Sequence, residues 1–309
     1  MFGFRLRSPR KSLVSITNLN DLYTSTINEV SAALGNESLA LVRKYNDRKI
    51  FVIDFDGDTM ATQSKALTYE ITSIITNAKP GDEVLVRLSS PGGAAHAYGY
   101  AAAQLSRLKK VNIPLTVSVD QIAASGGYLM ACVADKIISS PWAIIGSIGV
   151  VAEFPNFFNL LQALGIEYKQ YTAGAFKRTV SSMGPVTIEG EKKFQENLMD
   201  VYGFFCKHVA QNRPILSEKI NQVATGEHWH GTDALGLNLV DELKTSEEFI
   251  LERIKSVEFI KVAYQGEKKG FMDRLGSNFA HTLAQSFVEA VFNGIVKLSY
   301  SGFKGQKIL

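Results

Sequence analysis

The sequence predicts an α/β fold organised on a parallel sheet. Three observations carry that expectation. Apolar runs recur at 50–55 (IFVIDF), 84–88 (VLVRL) and 114–119 (PLTVSV). Near-continuous apolar strands are what a sheet covered on both faces requires. Between the runs lie segments of helical spacing, at 62–77 and 94–108. Strand–helix alternation implies right-handed crossovers between parallel neighbours. Finally, two glycine-rich turns, SSPGG at 89–93 and AASGG at 123–127, each separate an apolar run from a helical segment.

In chain order, residues 20–45 read as a helix, with Leu22, Ile27, Val30, Leu34 and Leu41 at loose helical spacing, ended by Asn46 and Asp47. The 50–55 strand follows. The 62–77 helix presents Ala66, Ile71, Ile74 and Ile75 on its apolar side, and Pro80 and Gly81 turn the chain into the 84–88 strand. After 114–119, residues 122–134 read as a turn plus a helix, 136–139 and 144–151 as strands, 156–165 as a helix and 167–171 as a strand. The segment 189–212 is a long helix, because Phe194, Leu198, Val201, Phe205 and Val209 recur every three or four residues. Pro214 ends it. Segments 232–240 and 247–254 complete the core. Residues 271–300 carry a wide apolar stripe (Phe279, Leu283, Phe287, Val291, Ile295) that predicts one long amphipathic helix. The expected division is a basic, helical extension at 1–47, a catalytic domain at 48–255 and a helical tail at 256–309.

Composition bounds the function. With 46% hydrophobic and 20% charged residues, the chain reads as a packed globular protein. A net charge of +3 argues against a dedicated nucleic-acid binder. The uncharged stretches 88–106 and 137–152 are too polar or too short for the roughly 20 apolar residues of a bilayer span. The basic start (Arg5, Arg7, Arg10, Lys11) is followed by no apolar signal-peptide core. Cys132 and Cys206 sit in apolar, helix-like surroundings and read as buried free thiols.

The chemistry gathers at the two glycine turns. Both sit at carboxyl ends of parallel strands, where open α/β sheets place ligands. Each enters a helix whose first N–H groups lack partners. Two such donors converging on one point would make an oxyanion hole. Read singly, either is also an ordinary strand-to-helix turn. Ser125, between small residues at a helix start, is the candidate nucleophile. A serine needs a base. Among the histidines, His96 has no independent support, His208 lies inside the long helix, His228 and His230 flank Trp229, and His281 is in the tail. Glu227, His228 and His230 form no further ligand cluster, so no metal site is read there. The other known base is a lysine whose pKa is lowered from about 10.4 by desolvation or a neighbouring cation. Lys177, between Phe176 and Arg178 after a glycine turn, is the best candidate.

Four segments, SSPGG, AASGGYLMACVADKIISSPWAIIGSIGVV, YTAGAFKRT and GEHWHGTDALGLNLVDEL, occur in the order and spacing of a known family. The chain resembles the signal peptide peptidase A type of serine peptidase, the S49 group on the ClpP/crotonase fold, nearest its SohB branch. The likeness covers 48–255 well and 256–280 more loosely. It implies a ClpP/crotonase-like fold of repeated β-β-α and βα units with helical extensions at both ends. It also implies a Ser–Lys dyad: Ser125 as nucleophile, Lys177 as general base and Ser147 as the hydroxyl that holds the lysine. Gly93 and Gly126 would be the backbone donors of the oxyanion hole. No cofactor is implied. The expected partners are a peptide or protein substrate, membrane-derived or misfolded, with a small apolar residue in the pocket before the scissile bond. A ring-like homo-oligomer that completes the dyad between neighbouring subunits is also expected.

Three competing readings follow from the same motifs. ClpP-type peptidases use His and Asp, and this chain has Val150 where the His would fall. Crotonases bind acyl-CoA, with glutamates that have no counterpart beside the second turn. A catalytically inactive scaffold of a membrane protease complex would not need the dyad residues, all of which are present. The family is usually tethered by one N-terminal transmembrane helix. The basic start stands in its place here, so a peripheral place at the bacterial inner membrane is expected, or the cytoplasm if the tail does not bind membrane.

Overall fold

Alternation along the strands decides how the molecule is layered. The computed structural model describes residues 12–35 and 48–266. The basic start, residues 36–47 and the amphipathic stripe at 271–300 lie outside the described residues. The chain divides into two units, Met1–Tyr264 and Gln265–Leu309.

Strand β1 (Val14–Asn18) leads directly into helix α1 (Leu19–Ala33), where the Asn18 side chain accepts from the Asp21 N–H. This helix ends earlier than its sequence periodicity suggested. Strand β2 (Lys49–Asp56), α2 (Ser64–Asn77), β3 (Glu83–Ser89), α3 (Ala95–Lys110) and β4 (Leu115–Val119) then form the expected alternation. A three-residue strand, β5 (Ile122–Ala124), precedes α4 (Gly126–Ala131), and β6 (Lys136–Ser139) and β7 (Ile144–Gly146) follow. Next come α5 (Phe158–Ala163) and the 25-residue α6 (Ile188–Asn212), whose cap is Thr187, accepting from Gly190 N–H. The chain closes with α7 (Ile220–Val223), β8 (His228–His230), α8 (Gly231–Gly236), β9 (Glu242–Leu243), α9 (Ser246–Arg253) and β10 (Glu258–Tyr264). A Thr245–Glu248 capping box starts α9.

The main sheet has the order β1-β10-β2-β3-β4-β6-β9, parallel except for the β1–β10 pair. Successive side chains of β2 serve opposite faces. Phe51, Ile53 and Phe55 join Leu67, Ile71, Leu105 and Leu108 of α2 and α3. Ile50 and Val52 join Leu19, Phe249 and Ile250 of α1 and α9. Burial on both faces explains why these strands read as unbroken apolar runs. A second sheet, β5-β7-β8, has β5 and β7 parallel and β8 antiparallel to β7. The mixed α/β architecture with a mostly parallel sheet is therefore present.

Some local expectations fail for identifiable reasons. Residues 167–171 form no strand: they are exposed and pair with nothing in either sheet. The expected strand 144–151 stops at Gly146, because Ser147 takes a φ of 51°, far from the extended values a non-glycine strand residue needs. Residues 228–230, expected as loop, pair with β7. The main sheet also takes in β1 and β10, which lie outside the expected 48–255 core. Cys132 is buried, Cys206 is half-buried, and both are free thiols.

Candidate active site

The site is built where the two glycine turns and the start of the β7–β8 connection are tied together. Just past β3, the Ser90 N–H donates to Ile122 O (2.8 Å), and the Ala124 N–H donates back to Ser90 O (3.0 Å). These bonds lock the first turn to the second. Pairing of β5 with β7 sets Ala124 opposite Gly146, and the Ser125 N–H donates to Gly146 O at 2.8 Å. One residue on, the Ser147 N–H donates to Glu227 O at 2.6 Å. Ser125 and Ser147 thus follow paired strands at the same offset. Both carry φ of 51°, a conformation that costs a non-glycine residue about 1–3 kcal/mol. Such strain persists only where the surroundings over-determine it, and here each serine is held by a ladder bond from its own amide.

The first turn rests on a buried hydroxyl chain. The Gly92 N–H donates to Ser90 Oγ (3.1 Å), whose hydroxyl lies 2.6 Å from the Tyr98 hydroxyl, and Tyr98 donates to Asp58 O (2.8 Å). Since the Tyr98 proton goes to Asp58, Ser90 supplies the proton between the two hydroxyls. Burial pushes the Tyr98 phenol above its ordinary range. Gly92 has φ of +92°, and a Cβ there would stand 2.7 Å from Gly126 N and from Ser125 Cβ. That approach demands glycine. Gly126 is constrained differently: a Cβ would fall 2.4 Å from the Tyr98 ring.

Ser125, Gly93, Gly126 and Ser147 all line one cleft of about 1250 Å³. Among the described residues neither the Gly93 nor the Gly126 N–H has a hydrogen-bond partner. The cleft therefore presents a half-exposed serine hydroxyl beside two free backbone donors. Its far wall is α6, which contributes Leu198, Tyr202, Phe205 and His208 at helical spacing. Val150 also lines it. Lys177 does not. It follows Gly174, its N–H donates to Gly174 O (3.1 Å), and it lies in the exposed excursion 151–187 between β7 and α6.

Sequence reasoning missed part of this cleft. His96 and His208 both line it, although neither was given a role. His208 Nε2 lies 3.0 Å from Leu129 O, and burial pushes the imidazole below its usual range. The signal lay in α6: the positions that gave the helix its apolar periodicity continue into His208 and Gln211 on the same face. Of the Glu227-His228-Trp229-His230 segment, Glu227 serves through its carbonyl, and the His230 ring sits edge-on to Trp142.

The model of peptidase family S49 matches residues 107–259, and that of the family's N-terminal region matches 36–105. A Haemophilus influenzae protein named "Probable protease SohB" is 51% identical over 227 residues, spanning 74% of this chain and 64% of the relative. A protein of the same name from Buchnera aphidicola subsp. Schlechtendalia chinensis is 42% identical, spanning 81% of this chain and 90% of the relative. The solved structure of 1510-N, a membrane-bound stomatin-specific protease, matches at a TM-score of 0.46 and 15% identity, covering 75% of this chain and 97% of that one. The two family models and the similarity to the SohB proteins agree with the motifs around Ser125 and Ser147: the chain belongs to peptidase family S49.

Proposed function

We propose that the chain is a serine endopeptidase that hydrolyses peptides or proteins through a Ser125–Lys177 dyad and an acyl-enzyme. In this cycle neutral Lys177 takes the proton from Ser125 Oγ, and the alkoxide attacks the peptide carbonyl. The Gly93 and Gly126 N–H groups hold the oxyanion. Lys177 then protonates the leaving amine, and water hydrolyses the ester. Ser147 holds the lysine amine in line.

One observation carries the reading: Ser125, Ser147 and two unpartnered backbone donors share a cleft in a chain of the S49 family. The base is assigned to a second copy. Lys177 is absent from the cleft wall of its own chain, and its excursion exposes Val151 (77%), Tyr171 (89%) and Ile188 (87%) just beyond it. The assignment to a second copy follows the family resemblance, which implies a dyad completed between neighbouring subunits. Membrane-derived or misfolded substrates, and a peripheral place at the bacterial inner membrane, belong to the same reading and rest on the family alone. Among the described residues no helix is long and apolar enough to cross a membrane.

The experiment is covalent labelling of Ser125 by a fluorophosphonate, read by mass spectrometry of the modified peptide. The wild-type chain is expected to label, Ser125→Ala to lose the label, and Lys177→Ala to lose it while keeping its circular dichroism spectrum. Full labelling of a folded Lys177→Ala chain would rule out the dyad.

A further inference from the structure

His96 is the second residue of α3, and it lines the cleft together with Gly93 and Ser125. Three observations bring its imidazole to the first glycine turn. Only Ala94, the N-cap of α3, and Ala95 separate it from Gly93. Gly92 is packed against the second turn, since a Cβ on it would stand 2.7 Å from Ser125 Cβ and from Gly126 N. Finally, the side chains of a helix lean toward its N-terminus, so at the second helical position His96 is directed back over Gly92 and Gly93.

The imidazole is also uncommitted. Other polar side chains of the cleft are engaged with the protein itself. Tyr202 donates to Ala224 O (2.6 Å), Thr225 donates to the Glu227 carboxylate (2.7 Å), and His208 Nε2 lies 3.0 Å from Leu129 O. His96 is exposed and has no hydrogen-bond partner among the described residues. Lys207, Gln211 and Asn221 of the described lining belong to α6 and α7, whereas His96 continues the chain of the first glycine turn. An imidazole carries one N–H when neutral and two when protonated, so it offers a donor in either state. A donor beside the Gly93 N–H meets the atom that this N–H is placed to hold, the oxygen of the scissile carbonyl. That oxygen gains charge on the way to the tetrahedral intermediate, so a donor aimed at it acts most strongly in the transition state.

We infer that His96 is a third donor to the oxyanion, joining the Gly93 and Gly126 N–H groups. The inference rests on the peptidase reading above and adds a side chain to a hole otherwise made of backbone. His96 takes no part in moving the serine proton, which stays with Lys177.

The test uses the full chain as wild type, His96→Ala, His96→Gln, His96→Asn and Lys177→Ala, with circular dichroism as the check on folding. Each is assayed for kcat and KM on one peptide across neutral pH. The rate of Ser125 labelling by a fluorophosphonate, whose phosphoryl oxygen enters the same hole, is measured in parallel. His96→Ala is expected to keep KM within about twofold and to lose about ten- to a hundredfold in both kcat and labelling rate. The amide N–H groups of His96→Gln and His96→Asn stand near the Nε2 and Nδ1 positions, and at least one of these variants should recover most of the loss. The shape of the pH profile should not change. A folded His96→Ala with wild-type kcat and labelling would overturn the inference, as would a raised KM at unchanged kcat, which marks a ground-state contact only. A loss that neither amide rescues, or a pH profile that loses a limb, would make His96 an acid–base group and overturn it as well. Full labelling of Lys177→Ala beside none of His96→Ala would make His96 the base and overturn the dyad too. A folded wild type that neither labels nor cleaves would overturn the peptidase reading and this inference with it.

Discussion

Tyr98 is the residue on which the first glycine turn depends. Its hydroxyl joins Ser90 to the Asp58 carbonyl, and Ser90 in turn holds the Gly92 amide against Ser125. Tyr98→Phe would leave a buried hydroxyl and a carbonyl without their partner, at an expected cost of about 1–3 kcal/mol by urea unfolding. Because the turn shifts while the apolar walls stay, kcat should fall by about tenfold with KM little changed. A variant with wild-type kcat would show that the turn does not need the hydroxyl chain. The place of Ser125 in the cleft was legible in the sequence, since a small-residue turn between a strand and a helix exposes whatever it carries. Lys177 was legible as a candidate only, because nothing in a chain marks which lysine meets a serine. Tyr98 was not legible: a helix-interior tyrosine reads as core, and its partner lies 40 residues upstream.

At the scale of elements, α6 lines the cleft, and its C-terminal end is fixed by an ion pair between buried Arg213 and partly exposed Asp241. The Arg213 guanidinium, 7% exposed, donates from both terminal nitrogens to Asp241 at 2.8 Å and from one of them to Asn238 O. Asp241 also accepts the Ile137 N–H of β6 at 2.7 Å, so the pair joins α6 to the main sheet. Asp241→Ala would leave the buried guanidinium with only the Asn238 carbonyl, an expected loss of about 1–3 kcal/mol. Chemical denaturation of this variant beside Arg213→Met, Asp241→Ala would separate the two costs. The double variant should recover part of the stability, because it removes the unpaired charge. No recovery would mean that Arg213 is solvated by other groups.

The same scale shows which elements the sequence could not reveal. The central strands were legible because burial on both faces writes itself into the residues. Strands β5 and β8 are three residues long, below the length at which periodicity carries information. At β10 the EFIKVAY segment shows no alternation, since Phe259 and Ile260 are both buried, and its place between β1 and β2 is set by pairing across more than 200 residues. Residues 167–171 have strand-like composition and no neighbouring edge to pair with. A strand is a relation between segments, and composition supplies only one side of it.

For the whole molecule, Lys177 is not among the described residues that line the cleft. The described residues carry the candidate nucleophile, two free backbone donors and an apolar-walled groove, while the candidate base rides on an exposed, largely irregular excursion. The account therefore requires that two copies together make each working site. Mixing two inactive chains tests this most directly. Ser125→Ala and Lys177→Ala are purified separately, combined under conditions that allow subunit exchange, and assayed on a peptide substrate. The account predicts no activity from either alone and recovered activity in the mixture, rising with the fraction of mixed assemblies to about a quarter of wild type or more per chain as exchange completes. A mixture that stays inactive after mass spectrometry confirms mixed assemblies would contradict it.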